Sequence, residues 1–272
     1  MTSLGLVVSS VVLTAVSIPA MRALARRWHL QRPNFKGKII PVGFGFMLVL
    51  VGAPIYLWML ISGNGRAESA VFLIGVVGFG VLGLVDDVYG SREAGGFGGH
   101  LRLLCRGKVS TGLIKALVGG LIALGVGLFL SGFHVGEGLV NGLVISLSAN
   151  FLNLLDLRPG RAVSCFWMGL VIVIFSTMKT LPVRRELVPI VVPAACLTVL
   201  DRSALVMMGD AGSNVLGAVL GIAIAYGAGL PGKAGFLLFV IAVHLYSEKR
   251  SISKLIESNE VLRRIDRLLG ER

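Results

Sequence analysis

Long apolar runs, parted by short links that hold most of the positive charge, leave this chain few ways to fold. The runs fall at about 4–21, 42–61, 70–85, 112–131, 138–155, 162–178, 187–200, 214–230 and 234–246. A helix of about 20 apolar residues crosses the hydrocarbon core of a bilayer and satisfies its backbone hydrogen bonds internally. The pattern therefore predicts an all-α, polytopic membrane helix bundle with about nine transmembrane helices. The sixth and seventh runs are near the lower length limit, and Pro189 and Pro193 interrupt the seventh. Only 15% of the residues are charged, against about 25% in ordinary soluble domains.

The formal charge of +12 would suit nucleic acid if it were spread over a soluble surface. Here the cations lie in alternate links, and with the N-terminus outside and the C-terminus cytoplasmic, 21 of the 26 Lys and Arg fall on the inner side. That bias matches cytoplasmic loops facing an anionic leaflet, so no nucleic-acid partner is expected. Residues 1–246 read as the transmembrane domain and 247–272 as a cytoplasmic charged tail. Apolar Ile252, Leu255, Ile256, Leu262 and Ile265 in the tail suit an interfacial or solvated helix. The three cysteines are odd in number and widely spaced, which suggests neither disulfides nor a metal site.

In this topology Asp86, Asp87, Asp156, Asp201 and Asp210 all fall at cytoplasmic ends of spans, and Asp266 lies in the tail. Carboxylates are costly in hydrocarbon and mark functional cavities. Collected at one face, they suit a phosphate-bearing substrate with a divalent cation better than a midplane transport site. Three stretches carry them. Asp86-Asp87 ends the third span; the pair is read either as a solvated helix end or as a site that holds Mg²⁺ or shares a proton. Asn150, Asn153 and Asp156 recur every three residues and share a helical stripe, as interhelical glue or as ligand contacts. Gly209-Asp210-Ala211-Gly212-Ser213 opens the eighth span, as an N-cap or as a cradle where glycines admit a phosphate and the Asp takes a cation. The link that includes Gly95-Gly96-Phe97-Gly98-Gly99-His100 and continues to Lys115 is read either as a flexible basic loop or as a source of cations for a diphosphate.

With these residues the chain resembles the polyprenyl-phosphate N-acetylhexosamine-1-phosphate transferase superfamily. The likeness runs from about Pro33 to Asn214, through Asp-Asp, Asn-x-x-Asn-x-x-Asp and Gly-Asp-x-Gly-Ser in order. Pro33-Asn34 with Pro41-Val42-Gly43 is similar to the first cytoplasmic loop, and Thr111-Gly112 with Lys115 to the fourth-span entry. The resemblance implies transfer of a sugar-1-phosphate from a UDP-sugar to undecaprenyl (polyprenyl) phosphate with release of UMP, in cell-envelope glycan synthesis. It implies an enzyme of the cell (inner) membrane with Mg²⁺ as cofactor, a polyprenyl phosphate lipid and a nucleotide sugar as partners, and is compatible with a homodimer. It gives Asp86 and Asp87 catalytic roles and Asp210 the metal. Substrate contacts fall to Lys38, His100, Lys115, Asn150, Asn153, Asp156, Gly209 and Ser213. The chain departs from the pattern where Pro159 replaces a second acidic residue and where one His244 stands for a histidine cluster. The rival expectation is a non-catalytic descendant that binds polyprenyl phosphate or scaffolds envelope enzymes.

Overall fold

A computed structural model of the chain describes residues 3–62, 67–90, 98–99, 103, 105–107, 109–176 and 184–270. Helices occupy all nine expected stretches: α1 (Ser3–Arg27), α2 (Met47–Ile61, entered by a 3-10 turn Phe44–Phe46), α3 (Ala67–Tyr89), α4 (Thr111–Leu130), α5 (Val135–Leu155), α6 (Arg161–Ser176), α7 (Arg184–Arg202), α8 (Gly209–Gly227) and α9 (Leu230–Lys249). Two short helices, α10 (Ile252–Ser258) and α11 (Glu260–Leu269), form the tail. Six of these elements are long and apolar enough to cross a membrane: α1, Phe44–Ile61, α3, α4, α5 and α9. The protein is a multi-pass membrane protein.

The first helix shows why. Its buried stripe runs through Leu6, Ser10, Thr14, Ser17, Met21 and Ala25, while Val7, Val8, Val11, Val12 and Val16 are exposed. A soluble helix has the reverse polarity. The three hydroxyls are satisfied within the helix, donating to the carbonyls of Leu6, Ser10 and Thr14 at 2.7, 2.6 and 2.8 Å. Hidden hydroxyls and an outer valine surface fit a helix whose solvent is lipid.

At the centre stands α8, with every residue from Ala211 to Ala225 buried. It packs chiefly on α3 and α5, with α6 and the Phe44–Phe46 turn completing its surround. Close approach is made by removing side chains. A Cβ on Gly83 of α3 would lie 2.5 Å from Ala211 Cα. So α3 and α8 cross backbone to backbone at the end that carries the aspartates.

Two features lie outside the sequence expectation. Gln31–Pro33 (β1) and Ile39–Pro41 (β2) pair antiparallel, with Arg32 opposite Ile40, so the bundle carries one small hairpin. The tail is not merely solvated: Arg161 (5% exposed) receives Asp266 (8%) against α6, through Nε and Nη2 at 2.5 and 2.9 Å. Arg161 Nη1 also donates to Ser253 Oγ at 2.9 Å.

Candidate functional site

The end of α3 meets the start of α8 under Gly83, so the two acidic motifs meet although they are more than 120 residues apart in the chain. Asp87 places both carboxylate oxygens on the first amides of α8, accepting from Asp210 N at 2.9 Å and Ala211 N at 3.0 Å. These are among the donors that a helix N-terminus leaves without an internal partner. The cap of α8 thus comes from another helix. Met208, at the N-cap position, makes no side-chain cap. The approach also needs Gly209, whose φ is +74° and whose added Cβ would lie 2.7 Å from Asp87 Oδ1.

Two first-turn amides of α8, those of Asp210 and Ala211, are thus taken by Asp87, and the Gly209 amide meets Asp156. The groups left facing the site are side chains. Lys115, at the start of α4, is placed between two carboxylates, donating to Asp86 Oδ2 at 2.7 Å and to Asp210 Oδ2. Asn153 Nδ2 donates to the same Asp210 oxygen at 3.2 Å, and Ser213 Oγ steadies that amide by donating to Asn153 Oδ1 at 3.1 Å. The ammonium-bearing Lys115 and its two carboxylate partners are partly open, Lys115 and Asp86 at 18% and Asp210 at 29%. An incoming molecule can reach them.

Asp156 caps the C-terminal end of α5, just past the span. Desolvation holds its carboxyl well above the usual carboxylate range, and the charges of Asp201, Asp210 and Asp87 push the same way; the Gly209 amide opposes them. Asp86 and Asp210 thus share one ammonium, with Asp156 close to Asp210 and Asp87, so carboxyl groups outnumber the cation at this end of the bundle.

Other expected residues are placed differently. Asn150 is exposed, one step of drift away from Asn153 on the helix. Lys38 is exposed at the hairpin end, its backbone N–H held by Asn34 Oδ1 at 3.0 Å. His100 lies outside the described residues. His244 turns Nδ1 to the Val240 carbonyl of its own helix at 2.7 Å.

One residue has a part the sequence reading did not give it. Asp201, 3% exposed at the end of α7, accepts from Gly160 N at 2.7 Å and from Met208 N at 3.3 Å. It ties the link after Asp156 to the residue before Gly209. Its place among the one-sided aspartates was the available signal.

Among the described residues no group of three or more His, Cys, Asp or Glu side chains is spaced to hold a metal ion. The donor set nevertheless fits Mg²⁺, which is usually bound through one or two carboxylates with substrate phosphates and water filling the remaining positions. Asp86 Oδ2 and Asp210 Oδ2 already converge on a single positive charge, that of Lys115.

No protein-family model matches the chain. It is similar to a curated phospho-N-acetylmuramoyl-pentapeptide-transferase from Heliobacterium modesticaldum, 29% identical over 221 residues. The match covers 74% of this chain and 66% of the relative, so it spans just under two thirds of that protein's length. The likeness supports the superfamily resemblance carried by the three acidic motifs.

Proposed function

We propose that this protein transfers a sugar-1-phosphate from a UDP-sugar to undecaprenyl phosphate at the cytoplasmic face of the cell membrane, releasing UMP. The observation that carries this reading is the ion-paired triad Asp86–Lys115–Asp210 with Asn153 at its edge. The similarity to a transferase of that chemistry supports it. In this reading nine helices cross the bilayer, the N-terminus is outside, and residues 1–246 form the catalytic unit.

The lipid phosphate oxygen attacks the sugar-bearing phosphorus of the donor. A new P–O bond forms, the bond from that phosphorus to the bridging oxygen breaks, and UMP leaves with the electron pair. Asp86 takes the proton of a monoprotonated lipid phosphate. Lys115 holds the diphosphate oxygens between the carboxylates, where a preformed ammonium needs no reorganisation as charge builds. Asn153, aligned by Ser213, and Asp156 border the nucleotide side. Asp87 works through the backbone, fixing the first turn of α8 so that Asp210 stays in place. Mg²⁺ would be held by Asp210 with Asp86 in reach, and when bound it neutralises charge on the diphosphate.

The test is UMP release by the purified full chain with Mg²⁺, undecaprenyl phosphate and a panel of UDP-sugars. Turnover with at least one donor supports the proposal. Binding of undecaprenyl phosphate with no UMP release from any donor would overturn it in favour of a non-catalytic lipid-phosphate binder.

A further inference from the structure

At the same end of the bundle, but on another side, the last turns of α1 and α7 part around a cleft of about 410 Å³. Its apolar surface comes from Pro41, Phe44, Leu200, Leu205 and Val206, and Arg22 and Arg26 stand at its edge. The two arginines are four residues apart and so share one face of α1, where like charges repel. Neither is in an ion pair among the described residues, and Arg26 Nε reaches only the Arg22 carbonyl, at 3.3 Å. Two uncompensated guanidiniums over an apolar recess complement a molecule that is anionic at one end and hydrocarbon at the other. The recess is at the end of the α1 span, where the headgroups of the surrounding leaflet begin.

We propose that this cleft binds an anionic phospholipid, its phosphate on Arg22 and Arg26 and its first acyl carbons against Pro41, Leu200 and Leu205. Guanidinium matches phosphate in a two-pronged geometry that a point cation lacks. The site is also wired to the carboxylate cluster. Met207 N donates to Pro41 O at 2.7 Å, Phe44 N to Met207 O at 3.2 Å and Gly45 N to Met208 O at 2.9 Å. Lipid in the cleft therefore braces, from behind, the strand of backbone that leads into Gly209 and Asp210. The inference does not depend on the reaction proposed above.

The experiment is native mass spectrometry of the full chain, released from nanodiscs that contain phosphatidylcholine and phosphatidylglycerol. The wild type retains a phosphatidylglycerol that millimolar inorganic phosphate does not displace. In R22Q/R26Q, retention falls roughly fivefold per arginine, about 25-fold for the pair. The control R263Q/R264Q, which removes the same charge from the exposed face of α11, retains the lipid as the wild type does. Leu205→Trp, which fills the recess without changing charge, loses it. Equal retention in R22Q/R26Q and the wild type, equal loss in both arginine pairs, or displacement by inorganic phosphate would each overturn the proposal. If R22Q/R26Q does not fold, undiminished retention in Leu205→Trp overturns it.

Discussion

Neighbouring residues on a helix point about 100° apart, and that turn separates the work of Asp86 from that of Asp87. Asp86 faces Lys115, whereas Asp87 faces the amides of α8. The sequence named the pair as one unit because both are carboxylates at a helix end. The division depends on what each one meets, and both partners are remote in sequence. Asp87→Asn turns one acceptor into a donor aimed at an amide N–H, so it should cost about 1–3 kcal/mol and lower the thermal midpoint. Asp86→Asn should leave the midpoint near that of the wild type and cut UMP release by about 10²-fold or more. Thermal melts and turnover of the two variants, side by side, check the assignment. Lys115→Met gives a second prediction. Without the ammonium, Asp86 and Asp210 repel, so added Mg²⁺ should raise the thermal midpoint of this variant more than that of the wild type. An equal rise in both would show that the cation does not bind between these carboxylates.

The helices were largely readable, because hydropathy is summed over many residues and both the lipid-facing and the buried faces of these helices are apolar. The elements that escaped notice are short or borrowed. β1 and β2 have three residues each, too few to show an alternating pattern, and only their pairing defines them. The eighth span, expected at about 214–230 and opened by the Gly-Asp-Ala-Gly-Ser hinge, takes that hinge into its first turn, because α8 begins at Gly209. Its cap is on α3, which no local motif can reveal. The stripe of Asn150, Asn153 and Asp156 also fails in part: at every third residue the direction drifts about 60°, enough to take Asn150 out to the exposed side. The crossing of α3 and α8 makes its own prediction. Gly83→Val places a branched side chain into the Asp210–Ala211 backbone and should cost about 3 kcal/mol or more. It should reduce both the thermal midpoint in detergent and the folded yield, whereas Gly78→Ala, which meets a side-chain methyl of Ile122, should cost less.

On the scale of the whole molecule, the charged tail is part of the bundle. Arg161 and Asp266 are both nearly enclosed, and removing one partner of a buried pair costs about 3–5 kcal/mol because the other charge stays behind. Asp266→Ala should therefore speed proteolytic cleavage within 250–270 and lower the midpoint. An Arg161→Met/Asp266→Leu double variant should recover much of the loss. Equal protease resistance in Asp266→Ala and the wild type would mean that the tail is held elsewhere. The sequence showed this tail as amphipathic and polar, but a charge that will be buried looks like any other until its partner is found.

The cap that Asp87 gives to α8 also sets an order of events during synthesis. The acidic pair emerges from the ribosome with the third helix, and the amides it must hold follow only after another 123 residues. Until then Asp87 has no backbone donors to receive it, and Asp210 has no fixed position. Any chain stopped before residue 209 lacks both the central helix and Asp210, however well its first seven helices form. The site cannot be assembled until the eighth helix has emerged.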